Sequence, residues 1–192
     1  MRITRAAKEQ LREEILLNAI SFLKESGRSG APVDKIMENV GLTSGALYSH
    51  FKSKNDFFDQ VILRELERKN KDFALSMARL GGRAALRMWV DEYLSEKHLV
   101  DVGHGCVFSA LGTDMKRTSP DARERFERKM SEGFEILAGG LETGTLAERV
   151  AKIKFIFSSV LGAMVLARSG HTKEMSRSLL KTTQQHLHLM LD

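Results

Sequence analysis

The side chains best suited to chemistry crowd into one stretch, GLTSGALYSHFKSK, which begins at Gly41. Tyr48 and His50 can donate hydrogen bonds, Lys52 and Lys54 carry positive charge, and Thr43, Ser44 and Ser49 add hydroxyls. Such a set could pack, catalyse, or touch something negatively charged. Phosphate oxygens accept readily from hydroxyl, imidazole and ammonium groups. The small residues Ser44, Gly45 and Ala46 would let a partner's surface come close to the backbone.

A second reactive candidate is Cys106, which follows the tripeptide GHG, with His104 two residues before it. At the start of a helix its thiol would gain acidity from the helix dipole. The commoner fate of a free cysteine is to pack as a small hydrophobe. His98, His104 and Cys106, or His186 with His188, could be imagined as metal ligands, but neither set has a structural-zinc spacing. No G-x-S-x-G, H-E-x-x-H or glycine-rich phosphate loop occurs. The expectation is therefore no catalytic residue, no metal and no cofactor.

These side chains must be positioned by helices. Apolar residues recur three and four apart along nearly the whole chain, which predicts an all-α fold of about nine helices and no sheet. Helices are expected over residues 5–26, 33–40, 43–51, 54–80, 84–97, 106–115, 120–141, 145–168 and 173–191. Pro32 opens the second, Gly41 ends it, and Thr43 is placed to cap the third. Ser53 with Asp56, and Thr145 with Glu148, have capping-box spacing.

With 192 residues, 42% hydrophobic and 29% charged, the chain can bury a core, and its net charge of +5 suits a polyanionic partner. The single cysteine excludes an intrachain disulfide and fits a reducing cytoplasm. Residues 1–10 are charged and predict no secretory leader. The longest apolar run, 155–167, reads as too short to span a membrane, so no membrane partner is expected.

Two short helices joined by a glycine turn make a helix-turn-helix pattern. Leu47 and Phe51, four apart, should face the core. Tyr48 and His50 would then be free for phosphate, and Lys54 would sit where a helix N-terminus also favours an anion. The sequence GLTSGALYSHFKSKNDFF resembles the helix-turn-helix of the TetR family of transcriptional regulators over residues 12–61. Gly41, Leu42, Thr43, Gly45, Leu47, Tyr48, His50, Phe51, Ser53 and Lys54 fit that family's pattern. Pro32 departs from it, because members often carry a Ser or Thr there that caps the helix and touches phosphate.

The resemblance implies a DNA-binding head at residues 1–55 and a helical effector-binding and dimerisation domain at 56–192. It also implies a homodimer on double-stranded, palindromic operator DNA, with a small-molecule effector and most simply repression. Expected DNA contacts are Thr43, Ser44, Gly45, Tyr48, Ser49, His50, Lys52 and Lys54. A pocket should draw on Met77, Met88, Trp89, Tyr93, Cys106, Phe108, Met130 and Phe134. The helix over 145–168 is apolar nearly all round, which suggests a subunit interface through Phe157, Val160, Leu161 and Met164, joined by Leu180 and Leu187. Two alternatives remain: the same regulator triggered by thiol modification of Cys106, or a helical adaptor or enzyme that does not bind DNA.

Overall fold

The computed structural model describes residues 4–191; residues 1–3 of the charged opening segment and residue 192 lie outside them. The helices are α1 (Arg5–Gly30), α2 (Val33–Glu38), α3 (Lys54–Leu80), α4 (Gly82–Tyr93), α5 (Glu96–Val100), α6 (Val107–Leu111), α7 (Pro120–Ala138), α8 (Leu146–Ser169) and α9 (Lys173–Leu191). Two 3-10 segments, Ser44–Ser49 and Asp114–Arg117, complete the fold, and no strand occurs among the described residues.

The head forms because α1 buries Ile15, Leu16, Ala19 and Leu23 along one stripe against Ile36, Met37, Leu47 and Phe51. Phe51 packs on Phe57 of α3 with ring centroids 4.8 Å apart. The same core runs on through Val61, Ile62 and Leu66 to Val107 and Leu111 of α6 and Phe126 of α7. The boundary expected at residue 55 falls at the start of α3, whose buried residues from Phe57 to Leu66 share one core with the head. A second core joins Leu86, Trp89 and Val90 of α4, Phe134 and Leu137 of α7, Ile153 and Ile156 of α8, and Leu180, Leu187 and Leu191 of α9.

Local chemistry explains most helix ends. The Ser53 hydroxyl accepts from Asp56 N–H at 3.1 Å and starts α3. The Asp56 carboxylate accepts from Lys52 N–H at 2.9 Å, one residue before the position a reciprocal capping box would use. Thr145 and Glu148 do form the full box at the start of α8. Gly27 leaves helical geometry (φ 67°), so the regular part of α1 ends where its sequence suggested.

Three expectations are corrected. The helix expected over 84–97 stops at Tyr93, because Ser95 turns extended and caps α5, accepting from His98 N–H at 3.1 Å. The segment after Cys106 divides into α6 and a 3-10 turn. The second helix starts at Val33 with Pro32 as its N-cap, as expected, but ends at Glu38, short of the expected residue 40.

Two further corrections concern α8 and α9. Val160, Met164, Leu180 and Leu187 are buried within this chain's own second core and cannot meet a partner. Phe157 is half-buried in the ring cluster of that core, and Leu161 is also half-buried. The outward face of α8 instead carries Phe155, Ser158, Val165 and Leu166, all exposed, with half-buried Gly162 between them. Helical spacing puts these on one stripe. Length was also misjudged: α8 holds an 18-residue window of mean hydropathy 1.8, which by length and composition alone could cross a membrane. In this fold its other face is the packed side of the second core.

Candidate nucleic-acid interface and effector cavity

Gly41 takes a left-handed conformation (φ 72°), which a side chain would oppose. Around it Leu42 N–H donates to Met37 O and Gly41 N–H to Glu38 O, both at 2.9 Å. This is the Schellman arrangement that ends a helix. It aims the next segment across α2. The second helix of the motif is 3-10, held by Ala46 N–H to Thr43 O and His50 N–H to Leu47 O, each 3.0 Å. With three residues per turn, Ser44, Leu47 and His50 share the inward side, and Gly45, Tyr48 and Ser49 fall outside.

Tyr48 is 65% exposed despite its apolar ring. Thr43, Gly45, Ser49, Lys52 and Lys54 are also exposed, while Ser44 and His50 are half-buried. A Cβ at Gly45 would meet nothing within 4 Å, so packing within the chain does not demand glycine there. Thr43 takes the N-cap conformation without a capping bond. The Ser49 hydroxyl is already spent on Ala46 O at 2.7 Å. Lys54 begins α3 and holds its ammonium 5.5 Å from the Phe58 ring.

His50 differs from the expectation of a free donor. Its ring tilts against Phe51, and its Nδ1 is buried with no partner. Burial lowers its pKa, and the charges of Lys8 and Arg12 lower it further. Those two cations sit on α1, and the Arg12 guanidinium lies 5.0 Å over the Phe51 ring. Sequence reasoning missed them as members of this basic surface. Their spacing of four on α1 was the available signal.

Behind the head lies a cavity of about 790 Å³ between α3, α4, α5 and α7, with Phe157 of α8 in its wall. Met77, Met88, Trp89 and Tyr93 line it, as do Cys106, Phe108, Met130 and Phe134, so the structure brings all eight expected pocket residues together. Phe157 is the hub of the ring cluster: its centroid lies 5.4 Å from Phe134 and 5.6 Å from Phe108. Lys69, Asn70 and His98 also line the cavity and were not foreseen.

His98 organises one end of this wall. Its Nδ1 contacts Tyr93 O at 2.6 Å, and its Nε2 accepts from Cys106 N–H at 2.8 Å. A backbone N–H can only donate, so the ring is neutral with its proton on Nδ1. Burial keeps it so by lowering the His98 pKa, and the nearby cations Arg168, Lys69 and Lys24 act in the same direction. A Cβ on Gly105 would meet the His98 ring at 2.6 Å, so this approach needs glycine. Arg168 of α8 donates to His98 O at 2.6 Å and to the Ser109 hydroxyl at 3.0 Å, which pins α5 and α6. Tyr93 contributes a buried hydroxyl without a partner, and burial raises its phenol pKa.

From this end a buried link reaches the head. Lys24 of α1 donates to Gly105 O and to Glu65 Oε1 of α3, both at 2.7 Å. Glu65 also takes Arg68 at 2.8 Å. Arg28 of α1 pairs with Asp59 of α3 at 2.6 Å, and its N–H donates to Asp114 at 3.3 Å. Among the described residues no group of three or more His, Cys, Asp or Glu side chains is placed to hold a metal ion.

Residues 15–61 match the family described as bacterial regulatory proteins, tetR family. The chain is 39% identical over 64 residues to the HTH-type transcriptional repressor BepR of Brucella suis, which covers 33% of this chain and 31% of BepR. Similarity to AcrR of Shigella flexneri is 33% over 60 residues, so the match spans about a third of the length of these curated relatives. In overall structure the chain is similar to reduced E. coli NemR, with a TM-score of 0.74 at 17% identity over 93% of this chain and 95% of NemR. It is also similar to FadR of Bacillus subtilis in complex with stearoyl-CoA, with a TM-score of 0.66 at 16% identity over 91% and 96% of the two chains.

Proposed function

We propose that this chain, whose residues 15–61 match the tetR-family model and whose all-α fold is similar to that of such regulators, is a homodimeric, ligand-responsive transcriptional regulator. It binds a palindromic operator in the cytoplasm and, most simply, represses. The observation that carries this reading is the surface of exposed donors and cations at residues 43–54, widened by Lys8 and Arg12. Tyr48 and Lys54 anchor phosphates there, and the small residues around Gly45 admit the edge of the major groove. Two heads reading successive grooves set half-sites about 34 Å apart or somewhat more.

The outer stripe of α8, with Leu166 at 58% exposure, is the dimer surface in this reading. It replaces the inward residues first expected. A contiguous apolar stripe left in water is unfavourable unless something covers it. A ligand in the cavity would act on the head through His98, the Cys106 N–H, Gly105 O and Lys24. It changes operator affinity only by binding the two states of that wall unequally.

The test is a gel shift of the full chain on the DNA upstream of its own gene, run with a small-molecule panel. Retarded bands that one compound releases support the reading. Failure to shift that DNA at low salt would remove it.

A second reading keeps the DNA binding and makes Cys106 the trigger. It is favoured by the placement of that half-buried thiol in the cavity wall, beside the link to Lys24. Cys106→Ser should then abolish release by thiol-reactive compounds; unchanged release sinks this version.

A further inference from the structure

The charged residues around the cavity divide by whether they already have partners. Asp72 takes Arg68 at 2.9 Å and Lys129 takes Glu132 at 3.0 Å, while Asp91 accepts from Gln184 at 2.6 Å and Asp101 meets the His104 ring at 2.8 Å. Glu92 and Lys97 are exposed, where water screens them. Lys69 stands apart. It is half-buried on α3, lines the cavity, and has no hydrogen bond or ion pair among the described residues. Among the cavity-lining lysines it is therefore the half-buried one that has no partner among the described residues, whereas the half-buried carboxylates Asp91 and Asp101 each accept a hydrogen bond.

The surroundings agree in sign. The charges that act on neutral His98, at the Tyr93 end of the cavity, are Arg168, Lys69 and Lys24, all positive. Next to Tyr93 the wall is apolar and aromatic: Phe134 and Phe108 flank Phe157, and Trp89 lies parallel to it within 5° at 6.3 Å. Half-burying an ammonium without a counter-charge is unfavourable, and an anion beside it would relieve that cost. A cationic guest could use the ring faces but would meet Lys69.

We propose that this cavity takes a small organic anion, with an apolar ring-sized body against the Phe157 cluster and its anionic group on the Lys69 ammonium. The proposal rests on the reading of the cavity as the effector site.

Two dyes that share one body separate the possibilities. 8-Anilino-1-naphthalenesulfonate is anionic, and N-phenyl-1-naphthylamine is the same skeleton without the sulfonate. Fluorescence titration of the full chain should give the sulfonate an affinity about tenfold higher, the size of one charge-assisted contact. Lys69→Met should bring the sulfonate down to the affinity of the neutral dye and leave the neutral dye unchanged. Met130→Trp, which fills the cavity, should weaken both dyes.

Equal binding of the two dyes, or an unchanged ratio in Lys69→Met, overturns the anion proposal while the cavity reading stands, provided Met130→Trp still weakens both. If neither dye binds, or Met130→Trp affects neither, the cavity reading falls and the proposal falls with it. Circular dichroism of Lys69→Met and Met130→Trp checks that both fold.

Discussion

Lys24 of α1 and Gly105 of the cavity wall are joined by a hydrogen bond of 2.7 Å, 81 residues apart in sequence and buried from water. The ammonium is shared with Glu65 at the same distance. Lys24 is 4% exposed, and its pKa is lowered by burial against the opposing pull of Glu65. Glu65 remains ionised because Arg68 and Lys24 outweigh its own burial. This node lies where a change in the wall would first reach α1.

Lys24→Met removes the node without removing volume. Arg68 still compensates Glu65, so the loss should be near the lower end for a broken buried pair, about 3 kcal/mol. Urea unfolding measures it. A variant as stable as the parent would show that the link carries no energy. In the folded fraction, any effector response of operator binding should shrink.

Stability should fall as the solution is made acidic. His98 has a folded pKa below its unfolded value of 6.5. Above that value both states are neutral and nothing changes. Below it the unfolded chain takes up a proton that the folded chain refuses, so the stabilisation is lost as pH drops toward the folded pKa. The slope from this residue is at most about 1.4 kcal/mol per pH unit. His50 adds to it in the same direction. Melting temperatures from pH 7 to pH 5 should decline less steeply in His98→Gln. Equal decline in both proteins would remove His98 from the account.

The helices and the head were legible because their signals are local. Ser53, Thr145 and Gly41 end or start elements by chemistry within a few residues, and Leu47 with Phe51 fixes which side of the motif faces inward. All eight expected residues line one cavity because side chains of α3, α4 and α7, with those at the start of α6, face the same space. The outer face of α8 was not legible. A helix apolar on every side has no periodicity to say which stripe meets α9 and which meets water. Lys24 and Lys69 escaped for another reason: a lysine's burial and its partners depend on residues far away in sequence.

On the proposed dimer surface, Leu166→Glu places a charge in the exposed α8 stripe while leaving the inward core untouched. It should weaken self-association by about 2–4 kcal/mol. Sedimentation velocity at micromolar concentration would then show monomers where the parent is dimeric. A dimeric Leu166→Glu protein would place the interface elsewhere.

The most direct test of the central claim is the salt dependence of binding to the upstream DNA, measured by fluorescence anisotropy for the parent, Tyr48→Ala and Lys54→Ala. The parent should lose affinity steeply with salt. Both variants should bind more weakly at every salt concentration, with unchanged melting temperature. In Lys54→Ala the logarithmic slope should also be shallower by about one unit, because one phosphate contact is gone. Parent-like affinity and slope in both variants would contradict the assignment of residues 43–54 as the surface that holds DNA.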